Sequence, residues 1–398
     1  MKTTMTIFMK ELKDSVRDRR TLMTMIVMPL LLFPLLIGIS SRVMSSHMQK
    51  ARDKVLKVAL VSHSNAGELR SDFAELSSVK LYEDLSFAEA RELVESDSLD
   101  ALIEIDSDFD TEVAALRQGK ISFYYKSTED DEIEADRIRD LLVAYELELK
   151  TGRFRELGLA ENVDDTVDLR EYNIASMKER VASAIGGFLP YLFIIFCFTG
   201  SMYPAIDLAA GEKERGTLET LLTSPAGKFQ ILLGKFGVVV LTGILSAAVS
   251  ILGLYIGVMQ IEEIPTELLN SILSILETRS IILLLTLLLP LTAFFAGILL
   301  SLSIIAKSFK EAQSILTPMM MVVIIPAFLG MMPGMELNGT TALIPILNVS
   351  LATKSIIAGN ASTVLLAEVY LSLFVIAMLS LAVCARIFKS ESAMFRSI

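Results

Sequence analysis

Residues 207–225 read Asp207-Leu-Ala-Ala-Gly-Glu-Lys-Glu-Arg-Gly-Thr-Leu-Glu-Thr-Leu-Leu-Thr-Ser-Pro225, a charged stretch held between two long apolar runs. The run before it, 181–206, carries no charged residue, and the run after it opens at Phe236. Leu218, Leu221 and Leu222 fall on one face of a helix at this spacing. A segment this short cannot build a core of its own. It reads as a small helix on which a second protein acts as on a lever. Ser224 followed by Pro225 has the form of a helix start, serine as N-cap and proline at the first helical position.

Working outward, the chain of 398 residues is 53% hydrophobic, and the excess lies in runs long enough to cross a bilayer. Spans are expected near 22–41, 183–206, 236–258, 280–305, 312–332 and 364–385, the fifth interrupted by Pro318, Pro326 and Pro333. The fold class is therefore an α-helical polytopic membrane protein with six transmembrane helices and an α/β domain between helices 1 and 2. The divisions are an amphipathic helix in 1–21, helix 1 in 22–41, the α/β domain in 42–180 and the remaining membrane body in 181–398. The first apolar run is too long for a cleaved signal peptide and lacks a small-residue cleavage site, so it is read as a permanent helix.

The formal charge of −11 hides an asymmetry. Residues 42–180 hold 19 Lys/Arg and 32 Asp/Glu, a net of −13, whereas the rest of the chain nets +2. Such acidity excludes a nucleic-acid partner, which needs a basic face. With the N-terminus inside the cell, 15 of the 17 basic residues outside 42–180 fall in inner segments, so 42–180 is expected outside. Cys197 and Cys384 both lie in expected spans, and 42–180 has no cysteine for a disulfide framework. The two histidines, His47 and His63, lie outside the spans and do not form the H-E-x-x-H pattern of a metalloprotease. No metal ligand set is assigned.

Met5, Phe8, Leu12 and Val16 recur at helical spacing, giving 5–20 the pattern of a helix lying in the headgroup layer. Pro29 and Pro34 predict a bend in helix 1. Within 42–180, strands are expected at 55–61, 79–82, 101–105 and 121–125, with helices at 66–76, 87–95 (Ser86 as N-cap), 109–117 and 129–150. The stretch 334–362 is expected to form a re-entrant or interfacial hairpin on the outer side. The spans contain almost no ionisable residue, so candidate substrate contacts are the hydroxyls of Thr199, Ser201, Tyr203, Thr242, Ser246, Thr292 and Thr317. Hydroxyls of this kind equally serve helix packing.

No Gly-x-x-x-x-Gly-Lys-Ser/Thr loop occurs, since the lysines of Gly227-Lys228 and Gly234-Lys235 are each followed by phenylalanine. The 212–225 sequence, E-K-E-R-G-T-L-E-T-L-L-T-S-P, resembles the hallmark of type-2 ABC transporter permeases. The N-terminal K-E-L-K-D-S-V-R-D-R-R-T-L of 10–22, the M-P-L-L-L-F-P-L-L that follows and the I-P-I-L-N-V-S-L of 344–351 resemble the sodium-export branch of that family. The resemblance covers the whole chain. It implies a transport subunit, not an enzyme, in a bacterial cell membrane, with both termini cytoplasmic and no cofactor of its own. ATP and Mg²⁺ would be bound by two copies of a partner ABC ATPase, and a second permease subunit would complete a homodimer. The 207–225 segment would seat in the ATPase through Glu212, Glu214, Gly216, Thr217, Leu218, Glu219, Leu221 and Leu222, the carboxylates meeting its polar groups and the leucines an apolar cleft. Na⁺ export is the favoured activity, and export of drugs or peptides is the alternative. From outside this class, a membrane receptor sensing through the acidic α/β domain is a further reading.

Overall fold

The computed structural model describes residues 2–62, 69–71, 73, 76, 78–126, 132–159, 186–261, 277–332 and 334–390. Contacts divide the chain into two units, Met1–Ser40 with Asn173–Ile398, and Ser41–Tyr172.

Among the described residues six helices are long and apolar enough to cross a membrane: Arg19–Val43, Phe188–Glu214, Lys228–Val258, Thr278–Ile305, Phe309–Leu329 and Thr363–Lys389. The protein is a multi-pass membrane protein. Helix α1 (Lys2–Arg17) stops at Asp18, whose carboxylate accepts hydrogen bonds from the Arg20 and Thr21 amides at 3.2 and 3.1 Å and so caps the next helix. That helix, α2, runs over 19–53 and contains a π turn at Met23–Val27 directly before Pro29. A π turn shifts the carbonyls that the proline ring would otherwise strike. Asp18 also separates α1 from the membrane helix two residues earlier than the sequence reading, which carried the amphipathic helix to residue 20.

The stripe of α1 that is buried is Ile7, Glu11 and Ser15, not the expected Met5-Phe8-Leu12-Val16 line. Met5 and Val16 are exposed, while Phe8 and Leu12 are half-buried against the core. The reason lies in the facing helix: glycines at 234 and 237 let α1 approach so closely that a Cβ at Gly234 would stand 2.8 Å from Ile7.

Helix α6 (Phe188–Ile206) is the centre of the membrane unit and continues through a π turn, Asp207–Gly211, into Glu212–Glu214. After the short α7 (Thr217–Leu222), α8 (Lys228–Val258) begins at Gly227, whose amide donates to Gln230 Oε1. The expected start at Ser224-Pro225 is thus corrected. Ser224 Oγ instead donates to the Leu221 carbonyl and closes α7. Helices α9 (Thr278–Ile305) and α10 (Phe309–Leu329) follow, and α10 runs through Pro318 and Pro326 without interruption. In 334–362 lie a 3₁₀ turn, Thr341–Leu343, and α11 (Leu347–Ala358), which at 12 residues is too short to span. The last helix is α12 (Thr363–Lys389).

The second unit holds a four-stranded sheet of β1 (Leu56–Ser62), β2 (Val79–Tyr82), β3 (Ala101–Ile105) and β4 (Ile121–Tyr125), in the order β2-β1-β3-β4. β1 pairs in parallel with β2 and β3, and β4 is antiparallel to β3. The buried strand residues alternate in direction. Ala59, Val61 and Leu102 meet Ala90 and Val94 of α3 (Phe87–Glu95), while Val58, Leu60, Ile103 and Ile105 meet Ile138 and Tyr145 of α5 (Glu132–Glu156). Ser86 caps α3 with a reciprocal bond to Glu89. A short α4 (Phe109–Ala114) joins β3 to β4. The expected helix at 66–76 lies mostly outside the described residues.

Candidate functional site

The four residues Glu212-Lys213-Glu214-Arg215 leave the π turn of α6 together, and each is tied to a different part of the membrane unit. Arg215 Nη1 reaches back 2.8 Å to Asp207, the first residue of the π turn. The half-buried Lys213 donates to the Ile304 and Ala306 carbonyls at 3.0 and 3.3 Å, neutralising the negative end of α9. Glu214 accepts a 2.7 Å bond from the Phe309 amide, at the positive end of α10. Phe309 also lies under the Arg20 guanidinium of α2, 5.6 Å from its ring centre.

Glu212 makes the deepest connection. It is 5% exposed, and its carboxylate lies 2.6 Å from Lys235 Nζ, a lysine of α8 that is 1% exposed. The same ammonium lies 3.6 Å from Glu11 of α1, also 1% exposed. Its directed hydrogen bond, 2.8 Å, goes to the Leu208 carbonyl inside the π turn. Lys10, 3.1 Å from Glu11 and 4.0 Å from Glu212, closes the ring. Two cations alternate with two anions, so the quartet is neutral. Burial pulls the Lys10 pKa down, but Glu11, Glu212 and Asp14 outweigh it and hold the ammonium above its usual value. Desolvating such charges costs several kcal/mol per ion, and only this mutual pairing offsets it.

Sequence reasoning missed Glu11 and Lys235. It left Lys235 in the inner loop, whereas α8 begins at Lys228 and buries it. The usable signal was a lone lysine one residue before an apolar run.

The remaining segment residues divide by exposure. Gly216 takes φ 69°, the left-handed conformation that lets the chain turn from Glu212–Glu214 into α7. In α7, Leu218 is buried and Leu221 half-buried against the chain's own core, while Thr217, Glu219 and Thr220 are exposed. Glu212 and Leu218 therefore face inward, contrary to the expectation that they present to a second protein. The surroundings of the Leu222 side chain lie outside the described residues.

Of the seven hydroxyls named as substrate contacts, four meet at one helix crossing and three lie apart from it. Ser201, Thr242, Ser246 and Thr292 are buried where α6, α8 and α9 cross. A Cβ at Gly243 would fall on Ser201 Oγ and within 3.0 Å of Thr292, and one at Gly200 would fall on Ser246. Small residues bring membrane helices together in this way. Thr199 and Thr317 donate to carbonyls one turn back in their own helices, and Tyr203 is half-buried beside the core.

A bundle of six spanning helices, joined at one end by a charged segment carrying E-K-E-R-G-T-L-E-T-L-L, defines an ABC-type permease. The chain belongs to this class: residues 19–384 match the ABC-2 family transporter proteins. It is similar to the ABC transporter permease protein NatB of Bacillus subtilis (strain 168), 25% identical over 359 residues, with 89% of each chain covered. It is the permease subunit of an ABC transporter, a class that works in a membrane with an ATPase partner.

Proposed function

We propose that this chain is the permease half of an ATP-driven exporter of Na⁺. It works as a homodimer with two ATPase subunits in the cell membrane, both termini inside and 42–180 outside. ATP and Mg²⁺ are bound by the partner, and this chain has no nucleotide site of its own. One observation carries the coupling role. The four consecutive charges 212–215 are bonded to the ends of α6, α9 and α10, to Lys235 about two turns inside α8 and, through Lys235, to Glu11 of α1. A push on α7 cannot be absorbed by a loose loop, because Gly216 joins α7 directly to that run. The exposed face of α7, with Glu219 and Thr220, is the surface on which the ATPase acts. The internal ties carry the displacement to the helix ends. Sodium as cargo rests on the likeness of 10–22 and 344–351 to sodium-export permeases, and the outward placement of 42–180 rests on the distribution of Lys and Arg.

The test is ATP-driven Na⁺ movement in proteoliposomes holding this chain with its ATPase. Glu219→Arg and Leu222→Asp are expected to leave the permease folded and abolish transport. Full activity in both would remove the segment from the coupling path, and ATP-driven turnover without Na⁺ movement would remove sodium as cargo.

One observation favours the drug or peptide reading. An open groove of about 720 Å³ runs between α9 and α12 on their exposed side, lined by Thr286, Pro290, Tyr370, Phe374 and Met378 and almost wholly apolar. A lipophilic cargo suits such a space, and a bare cation does not. Competition between a hydrophobic drug and ATP-driven Na⁺ movement separates the two readings.

A further inference from the structure

The Ser41–Tyr172 unit contains a cavity of about 600 Å³ between β4 and the second half of α5, within the size range of small-ligand sites. Its floor is apolar, formed by Phe109, Val113, Ile121, Phe123, Leu142 and Leu149. Phe109 is buried, but the other five stay half-buried although they pack on the sheet core. The cause is the path of α5. Ile138 and Tyr145 hold it against β1 and β3, the centre of the sheet, and the edge strand β4 is left partly uncovered. Gly119 keeps the space open on the other side, since a Cβ there would meet the Phe109 ring at 2.5 Å.

The mouth has the opposite character. Arg117, Arg139, Lys150 and Arg153 line it with a single acid, Glu146, in a segment whose formal charge is −13. Arg117 donates two hydrogen bonds to the Glu112 carboxylate, and Arg139 is paired with Asp136 and lies over the Tyr125 ring. Arg153 donates to the Arg117 carbonyl at 2.8 Å and has no carboxylate partner among the described residues. Cations gathered over an apolar floor, in an otherwise acidic domain, complement a molecule with a hydrocarbon body and an anionic head.

We infer that this cavity binds a single-chain anionic amphiphile of the long-chain carboxylate class, its chain on the Phe123–Leu149 floor and its head beside Arg153 and Lys150. The inference rests on this unit alone and does not depend on the cargo of the membrane unit.

The test uses the full chain in nanodiscs of zwitterionic lipid and a photoreactive dodecanoate, with the labelled peptides mapped by mass spectrometry. Labels are expected within 109–123 and 142–154, displaced by dodecanoate and about tenfold less well by dodecanol. Arg153→Glu with Lys150→Glu is expected to raise the half-labelling concentration about tenfold. Leu149→Trp, which fills the cavity, is expected to abolish labelling while amide exchange in β1 and β3 stays unchanged. Labels confined to the membrane helices, equal displacement by dodecanol, or indifference to the charge reversal would each overturn the site.

Discussion

Lys235 of α8 and Glu212 of the segment after α6 lie 2.6 Å apart, both almost wholly buried, with Glu11 of α1 completing a bridge across three helices. No single element here is stable alone in its place. The ammonium needs both carboxylates and the Leu208 carbonyl, and the carboxylates need it.

Lys235→Met therefore leaves two buried carboxylates sharing one largely exposed cation, Lys10, and the site one negative charge in excess. The expected loss is about 3–5 kcal/mol, the usual cost of removing one partner of a buried pair. It should appear as a lowered Tm of the permease in nanodiscs. Adding Glu212→Gln and Glu11→Gln to the same chain should restore most of the loss, because no buried carboxylate is then left unpaired and the exposed Lys10 keeps Asp14 at 3.6 Å. A triple variant no more stable than Lys235→Met would show that packing, not charge, dominates.

Asp18 fixes where α1 ends and α2 begins. Burial alone would raise its pKa, but bonds from the Thr21 hydroxyl and amide and from the Arg20 amide outweigh this and hold it below the ordinary aspartate value. A depressed folded pKa means that its contribution is full above the unfolded value, 3.8, and fades as pH falls through the folded one. Asp18→Ala should cost about 1 kcal/mol. The measurement is amide exchange at Arg20 and Thr21, expected to accelerate in the variant at neutral pH and in the native chain only under acid.

Much of this architecture was legible in the residues, for physical reasons. Apolar runs report spans directly, and the strands 79–82, 101–105 and 121–125 stand at the positions expected from alternation. Ser86 announced the cap of α3, and the structure adds the reciprocal bond from Glu89. What stayed hidden were pairings between elements distant in sequence. Glu212 looks solvent-facing in a charged run, and only Lys235, 23 residues on, and Glu11 in another helix make burial tolerable. Lys213 and Glu214 likewise look like surface charges until the ends of α9 and α10 are placed beside them.

The crossing of α6 and α8 offers a packing test. Gly243→Ala would drive a methyl group into Ser201 Oγ, at an expected cost of about 1–3 kcal/mol. Ser201→Gly in the same chain should relieve it. If Ser201 instead contacts cargo, that second substitution would lower transport in the otherwise native chain while leaving Tm unchanged.

The exposed and inward residues of the segment should fail differently. Glu219→Arg is expected to release the ATPase on purification, since Glu219 lies on the open face of α7. Lys213→Met with Glu214→Gln should keep the ATPase bound, because both side chains are engaged with the permease's own helix ends. Each lost tie should cost about 0.3–1 kcal/mol of stability, the value of a charge at a helix terminus.

The central claim is that movement at α7 reaches the membrane helices through residues 212–215. It is tested most directly by amide exchange in α11, Leu347–Ala358, measured with and without ATP in the permease–ATPase complex. This readout is independent of the cargo. The account predicts that ATP changes exchange in α11 of the native complex, and that Lys213→Met with Glu214→Gln abolishes the change while the ATPase stays bound and hydrolyses ATP. An unaltered ATP-dependent change in that variant would contradict it.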